Sequence, residues 1–448
     1  MNDRANHNET VVPILDLDDL IVISPVGRGA KGVAFLVRNH PFGESWALKV
    51  ILRDLVKRKN PAVTNAKDGS EYKRIWLEQR VLSRFKHPLL PRLHGILSTD
   101  KIIAYAIDYC PGRDLNQLRK KQTENIFSQG IIRFYAAELV LALEYLHNSG
   151  IAYRDLKPEN ILIQENGHIM LVDFDLSTEL PPPPTPPRKS KTTKLPAIAA
   201  RSNSSTQRKR ALSLQLFYKC SSGIMLEEFS DDSGNRCLPS ECRQHSMSLS
   251  GKSNSFVGTE EYVAPEVIQG YGHDFAVDWW SLGVVMYEML YRRTPFRGTN
   301  RKDTFYRILT QPPELVGEPN PLRDLIGKLL VKDPRERITV EEIKSHEFFK
   351  GLDWDSVVEV SRPPYIPPSV WGDKKEGNFF NKSIDVESFV ERVFSVNGGR
   401  EMQKEELVKV GDGNGEQEKN RGGEVEEEGE NKRENPPPRH DAQNFVVF

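Results

Sequence analysis

Four polar side chains at fixed spacing give the strongest chemical signal in the sequence. Asp155, Lys157 and Asn160 lie close together, and Asp173 follows after a strand-like apolar run. A carboxylate can orient an attacking hydroxyl, and an ammonium can offset developing phosphate charge. Carboxylate and amide oxygens are ligands that Mg²⁺ prefers. A charged surface turn is the alternative, but the pattern favours phosphoryl transfer from a metal-bound nucleotide.

The stretch around these residues resembles the catalytic loop of protein kinases, H-R-D-x-K-x-x-N, with Tyr153 in place of histidine. The resemblance implies that Asp155 accepts or orients the proton of the substrate hydroxyl and that Lys157 stabilises the transferring phosphoryl group. It also implies that a phosphate on the activation segment pairs with the arginine before the base. By the same resemblance this arginine is Arg154, and the implied Mg²⁺ ligands are Asn160 and Asp173.

A glycine-rich turn lies upstream, directly after the strand-like residues 20–23. Glycines at the G-x-G-x-x-G spacing let backbone N–H groups approach phosphates. A dinucleotide-binding turn shares this spacing but would enter a helix, whereas residues 33–37 continue as a second strand. We therefore expect an ATP-phosphate loop, with Ala34 added by the kinase resemblance. The loop consists of Gly27, Arg28, Gly29, Ala30, Lys31 and Gly32.

A lysine and a glutamate follow on the next two elements. Lys49 lies in the apolar strand at residues 46–50, and Glu78 lies in a helical pattern at residues 71–85. The kinase resemblance implies that the lysine holds the α- and β-phosphates of ATP and that the glutamate pairs with it. A solvated lysine and a solvent-facing glutamate are the alternatives for each residue alone. The order of the motifs favours the pair.

A strand at residues 102–107 leads into a segment that a Pro-Gly pair interrupts. This segment resembles the hinge between the two kinase lobes, where backbone groups hold adenine and an acidic residue lies near the ribose. The cysteine in it is expected to be a small apolar filler and not a reactive thiol. The implied ATP contacts around the hinge are Ala47, Asp108, Cys110 and Asp114.

One triplet departs from the kinase pattern, since Asp173 opens Asp-Phe-Asp where Asp-Phe-Gly is usual. Glycine tolerates positive φ, whereas Asp175 adopts it at greater cost. The triplet therefore predicts a shifted equilibrium between its inward and outward positions. A pseudokinase is the alternative, but the retained metal ligand predicts activity.

Residues 181–252 differ in composition from the rest of the chain. They begin with a polyproline run and continue as Ser/Thr-rich, basic sequence with little periodic apolar content, which predicts a disordered insertion. Its basic half would attract anionic lipid or act as a nuclear address, and a solvated linker is the open alternative. The cysteines and histidine in and near it, Cys220, Cys237, Cys242 and His245, have a spacing that fits no compact metal module.

Residues 255–266 resemble the end of a kinase activation segment, which places the insertion inside that segment. Ser255 lies where AGC-group kinases are phosphorylated by an upstream kinase, and its phosphate would pair with Arg154. Thr259 together with Lys157 is the pattern of serine/threonine kinases. Further residues match C-lobe anchors of the family, namely the ion pair Glu266–Arg337 and the loop-bracing Asp278.

The chain carries a Phe-x-x-Phe motif, Phe445 and Phe448, after a charged low-complexity run. In AGC kinases such a tail docks into a hydrophobic N-lobe groove, either its own or that of the phosphoinositide-dependent kinase. Burial of two phenylalanines favours docking, although the tail must become ordered. An accidental pair of aromatic residues is the alternative, and we expect docking.

The Asp-Phe-Asp triplet, the interrupted activation segment and the Phe-x-x-Phe end together resemble plant AGC kinases of subfamily VIII. This resemblance implies stress, oxidative or defence signalling, activation by the phosphoinositide-dependent kinase, and a mitogen-activated kinase cascade downstream. Four positions match AGC residues that face the protein substrate, and the acidic ones predict a preference for basic segments. They are Asp114, Glu159, Glu288 and Thr259.

Length and composition fit a two-lobed enzyme with tails. The 448 residues exceed one ordinary domain, and 62 basic residues balance 63 acidic ones, so no polyelectrolyte partner is implied. We expect an α+β, bilobal protein kinase fold. The expected divisions are an N-terminal tail at 1–19, a kinase domain at 20–349 and an AGC-type tail at 350–448. Within the domain, the β-rich N-lobe spans 20–107, the hinge 108–113 and the helical C-lobe 114–349, with the insertion at 181–252.

The polar start carries no secretory signal, no apolar run is long enough to span a bilayer, and the four cysteines form no secreted pattern. We expect a monomer in the cytoplasm and nucleus, with peripheral membrane association. Nucleic acid is not an expected partner, because the basic residues lack interleaved aromatics. The sequence predicts a basophilic serine/threonine kinase that uses Mg²⁺ and ATP. The competing hypothesis is a kinase-shaped scaffold that recruits partners through the insertion and tail.

Overall fold

The computed structural model describes residues 12–40, 43–58, 70–181, 253, 255, 257–368, 384–395 and 446–447. Nearly all of the predicted insertion lies outside these residues, as do Phe445 and Phe448.

Five antiparallel strands form the sheet of the N-lobe, in the order β1-β2-β3-β5-β4. Every second residue of β3 is fully buried, which is the period of a strand that packs one face on a core. The strands are β1 (Leu20–Arg28), β2 (Gly32–Asn39), β3 (Ser45–Leu52), β4 (Leu93–Ser98) and β5 (Ile102–Asp108).

Two helices accompany this sheet, α1 (Arg53–Arg58) and α2 (Ser70–Leu82). Helix α2 buries Ile75, Val81 and Leu82, and these side chains join the larger of the hydrophobic clusters, which continues into the C-lobe. Glu78 is on the buried side of the same helix, so its carboxylate is turned towards the protein and not towards solvent.

The C-lobe is built around two helices, α4 (Gln129–Asn148) and α6 (Ala276–Tyr291). Helix α6 is buried on nearly every side, and such a helix belongs at the centre of a large domain. Shorter helices surround these two: α3 (Leu115–Lys120), α5 (Pro265–Gln269), α7 (Arg301–Thr310), α8 (Pro321–Leu329) and α9 (Val340–Lys344).

Four short strands at the top of the C-lobe position the candidate catalytic residues. They pair as β6 (Ile151–Ala152) with β9 (Thr178–Glu179), and as β7 (Ile161–Ile163) with β8 (Ile169–Leu171). The loop from β6 to β7 carries Asp155, Lys157 and Asn160, while β8 leads directly to Asp173. Two hairpin-like pairs therefore bring residues distant in sequence to one place.

The C-terminal tail contacts both lobes. Pro367 lies against Gly112 of the hinge, where an added Cβ would lie 2.7 Å from its ring. Farther along, helix α10 (Val386–Phe394) covers the N-lobe sheet with Val386, Val390 and Val393. Beyond that, β10 (Val446–Val447) pairs in parallel with the end of β1.

These elements confirm the predicted fold class, a β-rich lobe and a helical lobe joined at a hinge. Within the described ranges, every helix is too short or too polar to cross a membrane.

Candidate active site

The catalytic loop places Asp155, Lys157 and Thr259 in direct contact. Lys157 Nζ donates to Asp155 Oδ2 at 2.7 Å and to Thr259 Oγ1 at 3.2 Å. Thr259 in turn donates to Asp155 Oδ1 at 2.9 Å. Both oxygens of the predicted base are thus oriented, one of them by a hydroxyl from the activation segment.

Lys49 links the two lobes at the back of the cleft. Its Nζ lies 3.0 Å from Glu78 Oε1 and 3.0 Å from Asp173 Oδ1. Burial alone would lower the pKa of Lys49, but the carboxylates of Asp173 and Glu78 raise it well above its usual value. Burial would raise the pKa of Asp173, yet the lysine outweighs it, so the pKa of that carboxyl falls. Lys49 and Asp173, the candidate metal ligand, are therefore both charged at neutral pH.

Asn160 and Asp173 fit a hard divalent cation. Asn160 Nδ2 donates to the backbone oxygen of Asp155 at 2.9 Å and to its Oδ2 at 3.0 Å, which fixes the orientation of the amide. The amide oxygen of Asn160 is buried and has no hydrogen-bond partner among the described residues. The backbone N–H of Val172 donates to the carbonyl of Asn160 at 3.0 Å, so Asp173 follows beside it. A buried acceptor without a donor, next to a carboxylate, suits Mg²⁺.

Helix α6 holds the catalytic loop through one carboxylate. Asp278 accepts the backbone N–H groups of Tyr153 at 2.9 Å and Arg154 at 2.7 Å, and it bonds His147 at 2.8 Å. Tyr153 also donates its hydroxyl to the carbonyl of Val172 at 2.5 Å. The residue that replaces histidine in the kinase pattern therefore ties the catalytic loop to the segment that precedes Asp173.

The Asp-Phe-Asp triplet is in its inward position. Phe174 is buried and packs against Phe85 and Tyr153, with ring centroids 4.9 and 5.2 Å away. The N–H of Phe174 donates to Glu78 at 3.3 Å. In the described part of the chain, Asp173 has a positive φ of 62°, whereas Asp175 does not belong to the residues with positive φ. In this inward position the replacement of glycine by Asp175 therefore imposes no left-handed strain on the backbone.

The glycine-rich loop is the hairpin between β1 and β2. Gly29 N–H bonds the carbonyl of Gly32 at 2.9 Å, and Gly32 approaches β3 so closely that an added Cβ would lie 1.9 Å from Val50 O. Lys31 Nζ lies 3.6 Å from Oδ2 of Asp175. Arg28 instead donates to the carbonyl of Val393 and lies over the ring of Phe394, both on α10. The other predicted loop residues, Gly27 and Ala30, lie on the same hairpin.

The hinge residues occupy one edge of the cleft. On the neighbouring strands, Ala34 of β2 lies opposite Lys49 of β3, and Ala47 of β3 lies opposite Ile107 of β5. Asp108 directs its carboxylate to His94 and the N–H of Arg92. Two further residues have structural environments of their own. Cys110 is buried, which raises the pKa of its thiol, and Asp114 is buried and caps α3 by accepting from Gln117.

The hydroxyl of Ser255 contacts Arg154 and the hydroxyl of Ser253. Arg154 Nη1 donates to Ser255 Oγ at 2.5 Å and to Ser253 Oγ at 3.0 Å. The same nitrogen lies 3.4 Å from Nε2 of His273, whose backbone pairs with Ser253. The pKa of Arg154 is lowered to about 10, mainly by burial and also by the nearby Arg74, whereas the carboxylate of Asp278 opposes this shift.

Two of the predicted substrate-facing carboxylates belong to one network. Asn116 donates to Glu159 at 2.8 Å, and Arg119 donates to Asn116 at 2.8 Å and to Glu288 at 3.3 Å. Tyr262 bonds the other oxygen of Glu288 at 2.5 Å. Burial raises the pKa of Glu288, and the carboxylate of Glu159 adds to this. Asp114 makes its side-chain bonds to Gln117 instead.

Sequence reasoning did not single out several residues of the site. Asn116 and Arg119 lie on a short helix whose pattern shows only polarity, and His273 lies in a Gly-rich turn. The tail helix was missed as well, although Val386, Val390 and Val393 follow the i, i+4, i+7 spacing of an amphipathic helix.

Comparisons with known proteins agree with this geometry. The family model for the protein kinase domain matches residues 20–195 and 242–349. The serine/threonine-protein kinase OXI1 of Arabidopsis thaliana is 57% identical over 391 residues, which cover 87% of this chain and 88% of that protein. From the same plant, the serine/threonine-protein kinase UCN is 42% identical over 83% of this chain and 90% of its own length. The serine/threonine-protein kinase AGC1-5 is 35% identical over 82% of this chain and 63% of its own.

Proposed function

This chain belongs to the protein kinase family, as a serine/threonine kinase of the AGC group, and from that premise we propose that it phosphorylates serine or threonine in basic protein segments. We further propose that Mg²⁺ is the metal, held by Asn160 and Asp173 with ATP. When bound, the metal would supply charge neutralisation for the phosphates, while Lys157 would act on the phosphoryl group and the oriented Asp155 on the hydroxyl.

The observation that carries the substrate preference is the network around Glu159 and Glu288. Arg119 is hydrogen-bonded to Glu288 and reaches Glu159 only through Asn116, so two carboxylates share one cation in that network. Glu159 is half-buried and lies in the catalytic loop, directly before Asn160. A second cation, supplied by an arginine or lysine of the substrate, would balance the charge there.

An oriented peptide array tests this preference. We expect selection for arginine or lysine N-terminal to the phosphoacceptor. Glu159→Gln should lower that selection by about three- to five-fold, the effect of losing one partly exposed ion pair. Glu347→Gln, at the exposed first position of the 3-10 helix Glu347–Phe349, is the matched control and should leave the profile unchanged. An array without any basic selection in the wild type would remove the proposal.

We propose that Ser255 is the regulatory phosphorylation site and that phosphoinositide-dependent kinase modifies it after docking on the Phe-x-x-Phe tail. Support comes from Arg154, a desolvated cation whose Nη1 already contacts Ser255 Oγ. A phosphate there would gain charge-assisted hydrogen bonds and order the activation segment. Intact-mass analysis with the upstream kinase should show one added phosphate in the wild type, none in Ser255→Ala, and slower addition in Phe445→Ala/Phe448→Ala. Equal modification of the wild type and Ser255→Ala would refute the assigned site.

We also propose a role in stress, oxidative or defence signalling, with a mitogen-activated kinase cascade downstream, supported only by the subfamily resemblance. A kinase-dead Asp155→Asn chain expressed in place of the wild type should abolish cascade phosphorylation after oxidative treatment. Unchanged phosphorylation would contradict the role.

Location is a further proposal, namely cytoplasm and nucleus with membrane association of the monomer through the basic insertion. Support comes from the run of basic residues without acids at 188–210. A fluorescent fusion lacking residues 181–252 should lose nuclear and membrane signal. If the fusion distributes as the full chain does, the insertion is a linker.

A further inference from the structure

One ion pair joins the glycine-rich loop to the Asp-Phe-Asp triplet. Lys31 Nζ, in the turn of the glycine-rich loop, lies 3.6 Å from Oδ2 of Asp175, the third residue of the Asp-Phe-Asp triplet. The side chains are 16% and 31% exposed, so the pair is partly shielded from solvent. A glycine at position 175 would offer no side chain for this contact.

The backbone on each side fixes where these side chains go. The carbonyl of Lys31 accepts the N–H of Leu52 at 3.1 Å, which ties the loop to the end of β3. Gly32, the next residue, approaches the carbonyl of Val50 too closely for any side chain. On the other side, the backbone N–H of Asp175 bonds the carboxylate of Asp173. The pair therefore links the glycine-rich loop to the loop of the candidate metal ligand.

Lys49 and Asp173 already bridge the lobes at 3.0 Å, but a bound nucleotide engages both of them. The lysine is expected to hold phosphate oxygens, and the aspartate to hold the metal. Neither role falls to the side chain of Lys31 or of Asp175, so the contact between these side chains can persist in the loaded enzyme. The contact between Lys31 and Asp175 can therefore still connect the two lobes when Lys49 and Asp173 engage the nucleotide and the metal.

We propose that Lys31 and Asp175 form a second ion pair between the lobes, which holds the glycine-rich loop closed over the nucleotide phosphates. Both are positioning residues. They keep the loop's backbone N–H groups in place and exclude water from the phosphates. The carboxylate of Asp175 then balances the charge of the lysine at the turn of the glycine-rich loop.

A double-mutant cycle with Lys31→Ala, Asp175→Gly and the double variant tests the pair, using binding of a fluorescent ATP analogue and the KM for ATP. Each single variant should raise both constants by about three- to five-fold, as expected for a partly exposed ion pair, with a smaller change in kcat. The double variant should match the single ones, because each single change already removes the whole contact. Lys31→Arg should retain most of the affinity.

Salt and a matched control sharpen the test. At high ionic strength the difference between wild type and variants should shrink, since the pair is partly exposed and is screened. Lys350→Ala, which removes an exposed lysine paired with Glu347, should leave nucleotide affinity unchanged. Thermal midpoints within the range of the control show that a variant is folded, and Lys31→Gln with Asp175→Asn provides a second, more conservative cycle.

Three results would overturn the proposal: effects that add in the double variant, unchanged ATP affinity in the single variants, or a raised Mg²⁺ requirement confined to Asp175→Gly. The last would make Asp175 a metal ligand. Because nucleotide binding is measured without a peptide, failure here is distinguishable from failure of the proposed basic-substrate preference.

Discussion

The carboxylate of Asp278 accepts a 2.7 Å hydrogen bond from the backbone N–H of Arg154, the residue directly before the candidate base. Arg154 has φ of 70°, a conformation that few side-chain-bearing residues adopt without compensation. The central helix of the C-lobe therefore supplies the bond that keeps the catalytic loop in a left-handed turn. Catalytic geometry and C-lobe stability meet at one buried carboxylate.

Asp278→Asn should damage both properties. The carboxylate is fully buried and accepts two backbone donors, and an amide would face one of them with its own N–H₂ group. Losing a buried hydrogen bond to a charged acceptor costs about 1.5–3 kcal/mol, so we expect unfolding free energy to fall by that amount. Denaturant titration and kcat measure the effects, and the exposed Asp353→Asn is the control. A variant with wild-type stability and kcat would show that the bonds are dispensable.

Asn160→Ala should raise the Mg²⁺ concentration needed for half-maximal activity. It removes a buried amide oxygen that has no donor among the described residues, together with the Nδ2 bonds that orient Asp155. General acid–base and positioning effects of this kind are worth about 100-fold or more in rate, so kcat should also fall steeply. A magnesium titration at saturating ATP measures both changes.

Chelation separates the catalytic metal from a structural one. EDTA should abolish phosphate transfer but leave the thermal midpoint of the nucleotide-free protein unchanged. The described part of the chain contains no group of three or more His, Cys, Asp or Glu side chains placed to hold a metal. A fall in the midpoint on chelation would reveal a structural metal.

The sequence could predict which candidate residues lie together, because motif order places each of them. Lys49 and Glu78 are 29 positions apart, yet the structure brings them to 3.0 Å as expected from a lysine strand followed by a helix glutamate. Fold class followed from the same order of strands and helices. Helix ends were less certain: the pattern at 71–85 extends past the observed end of α2 at Leu82.

Contacts between side chains of unrelated motifs were not predictable in this way. The pair Lys31–Asp175 joins a loop turn to a triplet 144 positions away, and no periodicity links them. Strain was expected at Asp175 because aspartate replaces glycine there, whereas Asp175 is not among the positive-φ residues of the described chain. Tail helix α10 was not predicted, because most of the stability of a short amphipathic helix comes from packing its apolar face on another element, here the N-lobe sheet.

His273 should make stability depend on acidity. Burial and then Arg154 lower the pKa of His273 to about 4, against the favourable carboxylates Glu266, Asp278 and Asp274. The unfolded chain binds the proton near pH 6.5. Between pH 4 and pH 6.5 the unfolded state binds more protons at this histidine than the folded state does. The stability that comes from keeping His273 neutral is therefore complete above pH 6.5 and is lost as pH falls towards 4.

The expected loss at pH 4 is about 1–3 kcal/mol after allowance for solvent screening. Urea unfolding at pH 7 and pH 5 measures the slope, and His273→Gln, which can still accept from Arg154, should flatten it. His346→Gln is a control, since its ring faces the exposed carboxylate of Asp324 on a different element. Equal slopes for the wild type and His273→Gln would contradict the assignment.

Lys332 should be a destabilising residue at neutral pH. Its Nζ lies 3.7 Å from the ring centre of Phe296 and 4.8 Å from that of Trp280, and has no hydrogen-bond partner among the described residues. Burial, and then the charge of Arg337, lower the pKa of Lys332 to about 7. The unfolded lysine titrates near pH 10.4, so stability should rise as pH increases from 7 towards that value.

Replacement of Lys332 by methionine should therefore stabilise the protein at pH 7 and flatten this dependence. Methionine keeps contact with both rings through its thioether and removes the desolvated charge. The lost cation–π attraction offsets part of the gain, leaving about 1–2 kcal/mol, or a rise of some 2–8 °C in Tm. Lys350→Met, on an exposed turn, should change Tm by less than about 1 °C because surface changes of this kind are nearly neutral. A lower Tm for Lys332→Met than for the wild type would mean that the attraction to the rings outweighs the cost of burial.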